Sequence, residues 1–398
     1  MSDSVAVVWH ESLQKYDFGP GHPFSPIRQQ LTMRLVEEFG LLDHSNVSVV
    51  SEIPVSGDAT LLTVHRPALL EAVKAASSDP DFEDASFGLG TPDNPVFPDM
   101  HSAAARICGA SVVGAEAVLS GRAGHAVNIS GGLHHAMPDR VSGFCVYNDA
   151  AVAIRWLLDQ GLQRIAYLDV DVHHGDGVQV AFWDDPRVLT ISIHESPSTQ
   201  FPGTGWPTEI GGPRALGSAV NIALPAGTGD QGWLRGLHAV APSLLREFKP
   251  QFLVSQHGCD THFEDPLGNL TVSIDGERLG AVAAHNWAHR FAGGNWLALG
   301  GGGYEWVDVV PRAWTHLMAE AIGRPIDPQT PVPDGFRSYC DELLGREPPA
   351  LMTDGFEPWP KLWDLGYDPD DPVDAAIAAT RRAVFPYHGL PVDGWQGF

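Results

Sequence analysis

Cysteine and basic residues are scarce in this chain of 398 residues. Its four cysteines are scattered, and none forms a C-x-x-C pair. This argues against a disulfide scaffold and against a cysteine-based zinc site, and it predicts free thiols in a reducing cytoplasm. The chain has 24 lysine and arginine residues against 49 aspartate and glutamate residues, a formal net charge of −25. That charge disfavours electrostatic binding to nucleic acid or to anionic lipid.

The sequence pattern predicts neither a signal peptide nor a long hydrophobic segment. Hydrophobic residues make up 43% of the chain, but we find no apolar run that would cross a membrane. The first ten residues, MSDSVAVVWH, have no basic n-region and no cleavage pattern, so we expect a first strand there. We therefore predict a cytoplasmic protein without a membrane partner.

Strand and helix patterns alternate along most of the chain, which predicts a parallel sheet covered by helices on both faces. The predicted strands are 5–9, 61–65, 125–129, 164–172, 188–194, 219–224, 252–256 and 296–299. Residues 324–398 differ, since they are rich in proline, aspartate and tryptophan and have little periodicity. We interpret 1–323 as one domain and 324–398 as an extension packed on it, with an oligomer contact as the alternative. The aromatic residues expected to pack this extension are Trp359, Trp363, Phe385, Tyr387 and Trp395.

The segment AYLDVDVHHGDGVQ, at positions 166–179, combines a strand pattern with an unusual density of polar side chains. Alternation along a strand would place Asp169, Asp171 and His173 on one face. Burying two carboxylates and an imidazole requires a cation or a hydrogen-bonding network to compensate them. A glycine turn follows at the expected carboxyl end of the strand, where α/β enzymes keep their chemistry.

Several predicted strands end in polar or glycine clusters, namely GGLHHA, DVDVHHGDG, HGCDT and GGGGY. Because the carboxyl ends of parallel strands lie along one edge of a sheet, we expect these clusters to converge. Asp171, His173 and Asp260 then form a candidate metal set that leaves positions open for water and substrate, as in catalytic zinc sites. Two carboxylate ligands acidify bound water only weakly, so a nearby base is needed.

The same edge can supply a base and an oxyanion donor. His134 and His135 are candidate bases, and Asp169 and Asp176 are available to orient them. Tyr304 follows four glycines, and its phenol can donate a hydrogen bond to a carbonyl oxygen as negative charge develops. The alternative interpretations are structural histidines and a packed tyrosine. A phosphate loop is disfavoured, because no lysine, serine or threonine follows GGGGY.

Together the motifs resemble the zinc-dependent histone deacetylase family. The resemblance covers residues 5–322 and rests on GGLHHAMPDRVSGFC, DVDVHHGDGVQ, FPGTG, HGCDTHFEDPLG and GGGGY. The segments YDFGPGHPFSPIR and FGLGTPDNPVF look most like the bacterial acetoin-utilisation branch of that family. The resemblance implies a single arginase/deacetylase-type α/β domain with a mostly parallel sheet of about eight strands.

The resemblance also implies roles by position. The implied zinc ligands, with ferrous iron as the alternative metal, are Asp171, His173 and Asp260. It implies that His135, oriented by Asp176, is the general base and then the acid. His134, paired with Asp169, would hold the water, and Tyr304 would polarise the acetyl carbonyl. The implied substrate-contacting residues of tunnel, rim and internal channel are Asp93, Gly143, Phe144, Phe201, Leu267 and Arg28. The residues implied around a structural potassium ion are Asp169, Asp171, His173, Ser192 and Ile193.

The implied reaction is hydrolysis of the acetyl amide of Nε-acetyl-lysine in a protein or peptide, with an acyl-CoA synthetase as one candidate partner. Deacetylation of acetylpolyamines or other small amides is the alternative enzyme function. An inactive relative that only binds acyl-lysine should have lost a ligand, the base or the tyrosine, and all are present. One departure concerns the rim, where Thr91 and Pro92 precede Asp93 in place of an aromatic residue often found there.

Overall fold

A computed structural model describes residues 4–392 and places its strands in one eight-stranded sheet. The strands are β1 Val5–Val8, β2 Val47–Val50, β3 His125–Asn128, β4 Ile165–Asp169, β5 Val188–Glu195, β6 Ala219–Leu224, β7 Phe252–Gln256 and β8 Trp296–Leu299. All neighbouring pairs are parallel, in the order β2-β1-β3-β8-β7-β4-β5-β6. The predicted parallel α/β architecture is confirmed.

Helices cover both faces of this sheet. They are α1 Ile27–Glu38, α2 Asp58–Leu61, α3 Pro67–Ala76, α4 Met100–Leu119, α5 Asp149–Asp159, α6 Asp176–Ala181, α7 Asp230–Phe248, α8 Ile274–Phe291, α9 Val310–Ile322, α10 Asp334–Leu344 and α11 Pro372–Val384. One apolar core joins the sheet to α7, α8 and α9, and another joins its opposite face to α4 and α5. Alternate residues of β4 enter the two cores, Leu168 one and Tyr167 the other. Because both faces of such a strand are buried, its sequence is a continuous run of apolar residues.

The predicted strand 61–65 is wrong. Leu61 ends the short helix α2 and enters the core, whereas Leu62 is exposed and backbone turns follow. The edge strand of the sheet is instead β2, which pairs with β1 and has an exposed Val49. Both segments contain β-branched residues, and pairing rather than intrinsic propensity decided between them.

The predicted strand 164–172 is too long, because β4 ends at Asp169. The Val170 amide still donates to the Gln256 carbonyl of β7 at 3.1 Å, but after it side-chain carboxylates accept the backbone N–H groups. The amide of Val172 donates to Asp260 Oδ1 at 2.9 Å, and the amide of His173 donates to Asp171 Oδ1 at 2.9 Å. Asp171 and His173 therefore lie in a loop, and strand alternation is not what brings them together.

Helix α4 is long and apolar enough, by length and composition, to cross a membrane, so the prediction that no such run exists is wrong by that measure. However, 67% of its most apolar 18-residue stretch is buried inside the protein. Its small residues let it approach the sheet closely, and a Cβ at Gly114 would come within 2.9 Å of Leu297 Cδ1. These contacts identify α4 as a core helix.

Residues 324–392 contain two helices that the sequence pattern did not predict, and both contact the preceding chain. Helix α11 packs on β6 and α7, where Arg235 Nη2 lies 2.8 Å from Asp374 Oδ2. Among the aromatic residues expected to pack this segment, Phe385 is buried and Trp363 packs against the core while partly buried, but Trp359 and Tyr387 are 58% and 54% exposed. Buried arginines do much of that packing instead. Trp395 lies outside the described residues, and the domain division at residue 323 stays a prediction.

Candidate active site

The loops that carry the polar motifs follow four adjacent strands in the middle of the sheet. Strands β3, β8, β7 and β4 are consecutive in the strand order, and all are parallel. The segments GGLHHA, GGGGY, HGCDT and DVHHGDG leave their carboxyl ends in that spatial order. The expected convergence of these clusters is observed, and parallel topology is its cause.

Asp171, His173 and Asp260 form a buried cluster at this edge. Their ligand atoms lie within 4.8 Å of one another, and His173 Nδ1 is 3.0 Å from an oxygen of each carboxylate. Burial and the adjacent Asp171 carboxylate raise the pKa of Asp260 to about 7. Burial alone would lower the pKa of His173, but the Asp260 carboxylate raises it well above its ordinary value.

The donor set fits a divalent cation. Separations near 3 Å are close to those between ligands in a tetrahedral site whose metal bonds are about 2.0–2.2 Å. The second oxygen of Asp171 accepts bonds from Gln256 Nε2 at 2.7 Å and from the Gly302 amide at 2.9 Å. Such bonds orient a ligand carboxylate and leave its other oxygen for the metal.

His134 and His135 are each oriented by a buried carboxylate. His134 Nδ1 lies 2.8 Å from Asp169 Oδ2, and His135 Nδ1 lies 2.7 Å from Asp176 Oδ1. The two Nε2 atoms lie 3.1 Å apart. Burial and the charge of His134 lower the pKa of His135 to about 4. Burial alone would lower the pKa of His134 as well, but the Asp169 and Asp171 carboxylates raise it to about 9.

Tyr304 is held by the glycine loop and by a buried acid. Its amide donates to Asp265 Oδ2 at 2.7 Å. A Cβ at Gly302 would collide with Asp260, so the loop passes directly over the ligand cluster only because glycine stands there. Burial raises the pKa of the Tyr304 phenol well above its ordinary value, and the nearby Asp260 adds to this. The hydroxyl therefore keeps its proton and can donate it in a hydrogen bond.

A cavity of about 220 Å³ connects these groups to the surface. Its lining residues are Asp93, His135, Gly143, Phe144, His173, Gln200, Phe201, Leu267 and Tyr304. His135 and His173 form its buried end, whereas Asp93, Leu267 and Phe201 are exposed at the other. Phe144 meets Tyr304 edge-on at 5.8 Å, and Phe201 meets His135 edge-on at 5.0 Å. The two phenyl rings thus wall a narrow, largely apolar passage.

Comparison with known proteins identifies this arrangement. The sequence model described as "Histone deacetylase domain" matches residues 22–321. The chain belongs to the histone deacetylase family. It is 41% identical over 335 residues to the acetoin utilization protein AcuC of Bacillus subtilis (strain 168), covering 84% of this chain and 85% of that protein. It is 35% identical over 348 residues to AcuC of Staphylococcus aureus (strain MSSA476), covering 86% and 89%.

Solved structures give the same result. A crystal structure of an HDAC homolog complexed with SAHA has a TM-score of 0.79 at 28% identity and covers 95% of this chain and 100% of its own. A crystal structure of an HDAC homolog from Aquifex aeolicus matches with the same TM-score, identity and coverage. The chain is therefore an AcuC-like hydrolase of the histone deacetylase family.

Arg28 and four of the five predicted potassium residues do not line the cavity of this deacetylase. Arg28 is buried, and its Nη1 donates to the carbonyl oxygens of Gly301 and Gly303 at 2.9 and 3.1 Å. It supports the loop of Tyr304 and does not line the cavity. The predicted potassium residues meet where β4 and β5 pair, since Asp169 and Ser192 are register partners. Ile193 follows Ser192, and the other two members of the set follow β4.

Sequence reasoning missed several residues that brace the deacetylase site. Asp265 accepts the amides of both Tyr304 and Leu267, and Gln256 holds Asp171. Asn94 Oδ1 accepts the Phe144 amide at 2.9 Å, which links the segment that carries Asp93 to the wall of the cavity. The available signal was a surplus of acids and amides in apolar segments without a basic partner, but it does not tell which of them is buried.

Proposed function

We propose that this deacetylase hydrolyses the acetyl amide of Nε-acetyl-lysine in proteins or peptides, as a zinc-dependent enzyme. The passage between Phe144 and Phe201 carries the proposal, because it leads from an exposed acid to the ligand cluster. An unbranched, apolar lysine stem fits such a passage, whereas a branched or charged side chain does not. An acyl-CoA synthetase is a candidate protein substrate.

Asp171, His173 and Asp260 would hold the zinc ion, or ferrous iron as the alternative. A bound ion of this kind supplies Lewis acidity toward the acetyl carbonyl and acidifies a water molecule. The structural potassium ion would lie beside Asp169, the last residue of β4, and Ser192 in the middle of β5. Buried oxygen atoms are the ligands that a hard cation of this type needs.

The remaining steps belong to side chains of this protein. His135 Nε2 takes a proton from the attacking water, while Asp176 holds its Nδ1–H. Tyr304 donates a hydrogen bond to the acetyl oxygen as negative charge develops on it. The C–N bond then breaks as His135 returns a proton to the lysine nitrogen, which gives acetate and free lysine. His134, held by Asp169, orients the water through its own Nε2.

The exposed Asp93 bears on the choice between a peptide and a polyamine. Its carboxylate can accept two backbone N–H bonds from a peptide that flanks acetyl-lysine. An acetylpolyamine has no such amides, but its cationic nitrogens could pair with the same acid, and the net charge of −25 favours cations in general. Deacetylation of acetylpolyamines is therefore the second candidate function.

Asp93→Ala separates the two functions. Charge-assisted hydrogen bonds contribute about 1.5–3 kcal/mol each, so we expect kcat/KM on acetyl-lysine peptides to fall about tenfold or more. The effect on a minimal capped acetyl-lysine should be much smaller. Both proteins would be assayed on a peptide, the capped residue and an acetylpolyamine.

Glu83→Ala is the matched control, since Glu83 is an exposed acid ten residues before Asp93 and does not line the cavity. It should leave all three rates unchanged. If the polyamine is the best substrate of the wild type and alone suffers from Asp93→Ala, the protein-deacetylase proposal is wrong.

A further inference from the structure

Three histidines converge at the edge of the sheet opposite the active site. His125 begins β3, and His285 and His289 lie one turn apart near the carboxyl end of α8. His289 Nε2 is 3.2 Å from His125 Nε2 and 3.1 Å from His285 Nε2. The three nitrogens lie within 4.8 Å of one another. The catalytic loop follows the other end of β3, so this cluster is separate from the active site.

Hydrogen bonds between the rings cannot account for both of these short nitrogen–nitrogen distances. An imidazole Nε2 has one in-plane position, which holds either a proton or a lone pair. His289 must use that one position toward two other nitrogens, so both contacts cannot be full hydrogen bonds. Burial and the neighbouring imidazoles lower the pKa of His125 to about 4, and burial and His289 lower the pKa of His285 to about 4. These two rings are therefore neutral near pH 7, which is the form that binds metals.

The surroundings orient the rings and favour a cation. Trp296 stacks on His285 at 5.4 Å and meets His125 edge-on at 5.5 Å, which fixes both rings. Helix α8 ends at Phe291, and the partial negative charge of a helix carboxyl end stabilises a nearby positive charge. His125 is buried, His285 is half-buried and His289 is exposed. An ion can therefore enter from solvent and keep a water ligand.

We propose that His125, His285 and His289 form a second metal site, selective for Zn²⁺ and similar imidazole-binding transition metals. Three imidazole nitrogens suit zinc, copper or nickel, whereas magnesium and calcium require oxygen ligands. Nitrogen separations of 3.1 and 3.2 Å are close to those in a tetrahedral site with Zn–N bonds of about 2.0–2.1 Å. The ion ties the end of α8 to the start of β3 and has a structural role. The inference does not depend on the proposed function.

Zinc binding to the holoenzyme, purified without a polyhistidine tag, tests the site. After equilibrium dialysis against micromolar Zn²⁺, the wild type should hold two ions per chain and His285→Asn/His289→Asn should hold one. Zn²⁺ should raise the Tm of the wild type but not of the double variant. Loss of a residue that only supports a metal ligand lowers the metal affinity about 10–100-fold. Loss of a ligand itself, in His289→Gln, should therefore lower the affinity for the second ion about 100-fold.

Controls separate this site from the active site. His238→Asn removes a half-buried histidine of α7 outside the cluster and should keep both ions. Asp260→Asn should lose the active-site ion and keep the second, whereas deacetylation by the histidine variants should match the wild type. Equal numbers of bound ions in the wild type and in the double variant overturn the inference, whether or not the active site holds an ion of its own. His289→Gln changes the most exposed of the three positions and serves if the double variant does not fold.

Discussion

At the scale of single residues, Tyr304 illustrates how one hydroxyl can be tested. Tyr304→Phe keeps the ring that packs edge-on against Phe144 and removes only the donor. Loss of a single oxyanion donor costs about 10²–10³-fold in rate, so kcat should fall on that scale while KM changes little. Steady-state kinetics on an acetylated peptide measure this split. Tyr387→Phe, at an exposed position, is the control, and an unchanged kcat in Tyr304→Phe would leave Tyr304 with a packing role only.

Asp265 is expected to act through Tyr304. Its two oxygens accept the amides of Tyr304 at 2.7 Å and Leu267 at 2.9 Å, and burial raises its pKa to about 6. An amide offers only one acceptor oxygen, so Asp265→Asn leaves one buried N–H without its partner, at a cost of about 1–3 kcal/mol. We expect kcat to fall about tenfold or more with unchanged metal content. Metal analysis and kinetics on the same sample test this, and a loss of metal would contradict the positioning role.

The residues of the site were predictable where their chemistry is unusual for a buried strand end. Asp171, His173 and Asp260 stand out because two acids and an imidazole in apolar surroundings need a compensating charge. Asp265 does not stand out, since HFEDPLG contains two acids and only the tertiary structure shows which one is buried. The geometry agrees with the predicted pairing of each histidine with its acid, whereas the catalytic roles rest on the experiments proposed above.

At the scale of elements, the pairing of α7 with α11 predicts a large stability effect. Arg235 and Asp374 are buried, and Arg235 also donates to the carbonyls of Lys361, Leu362 and Gly366. Removing one partner of a buried pair leaves an uncompensated charge and costs about 3–5 kcal/mol. Asp374→Ala should lower the free energy of unfolding by that amount in urea titrations, with little effect on kcat at low urea.

Lys74→Ala provides the comparison, because it breaks an ion pair with Asp58 at the protein surface. Exposed pairs contribute about 0–1 kcal/mol. Equal losses in the two variants would show that the carboxy-terminal segment does not depend on its buried pair.

Helices and strands were predicted correctly where the periodicity of apolar residues is strong. The predictions failed where tertiary contacts decide the structure. The strands of the sheet centre were found because they are buried on both faces and so appear as apolar runs. The strand at 61–65 failed, since β-branched residues at 47–50 supply the edge strand instead. Helix α11 was missed because part of its burial comes from arginines, which no apolar pattern reveals. Helix α10 was missed because it buries only Phe336 and Cys340.

At the scale of the whole molecule, composition disfavoured whole classes of protein, such as disulfide scaffolds, but it did not locate the active site. The scarcity of cysteine agrees with four buried free thiols. Topology then gives the reason why distant motifs form one site: residues 134, 171, 260 and 304 follow adjacent parallel strands. A motif list contains no strand order, so it implied this convergence only through the general rule for parallel sheets.

Stability of the whole chain should fall as the pH is lowered, in part because histidines are buried in neutral form. Burial lowers the pKa of His65 and of His316 to about 4. His65 Nε2 accepts the Asn148 amide at 3.0 Å, and that bond is lost on protonation. The unfolded chain takes up these protons near pH 6.5, and the folded chain only near pH 4. Each group therefore contributes stability that is complete above about pH 6.5 and declines by up to about 1.4 kcal/mol per pH unit toward pH 4.

His316→Gln isolates this contribution. His316 Nε2 lies 2.7 Å from the Met352 carbonyl, and glutamine offers an amide donor that does not titrate. Urea unfolding of wild type and variant between pH 7.5 and pH 5 should give a shallower decline for the variant, although both proteins lose metal ligands to protonation in the same way. The difference between the two curves removes that shared term and reports His316 alone. Parallel curves would mean that His316 takes up its proton in the folded chain at its ordinary pKa.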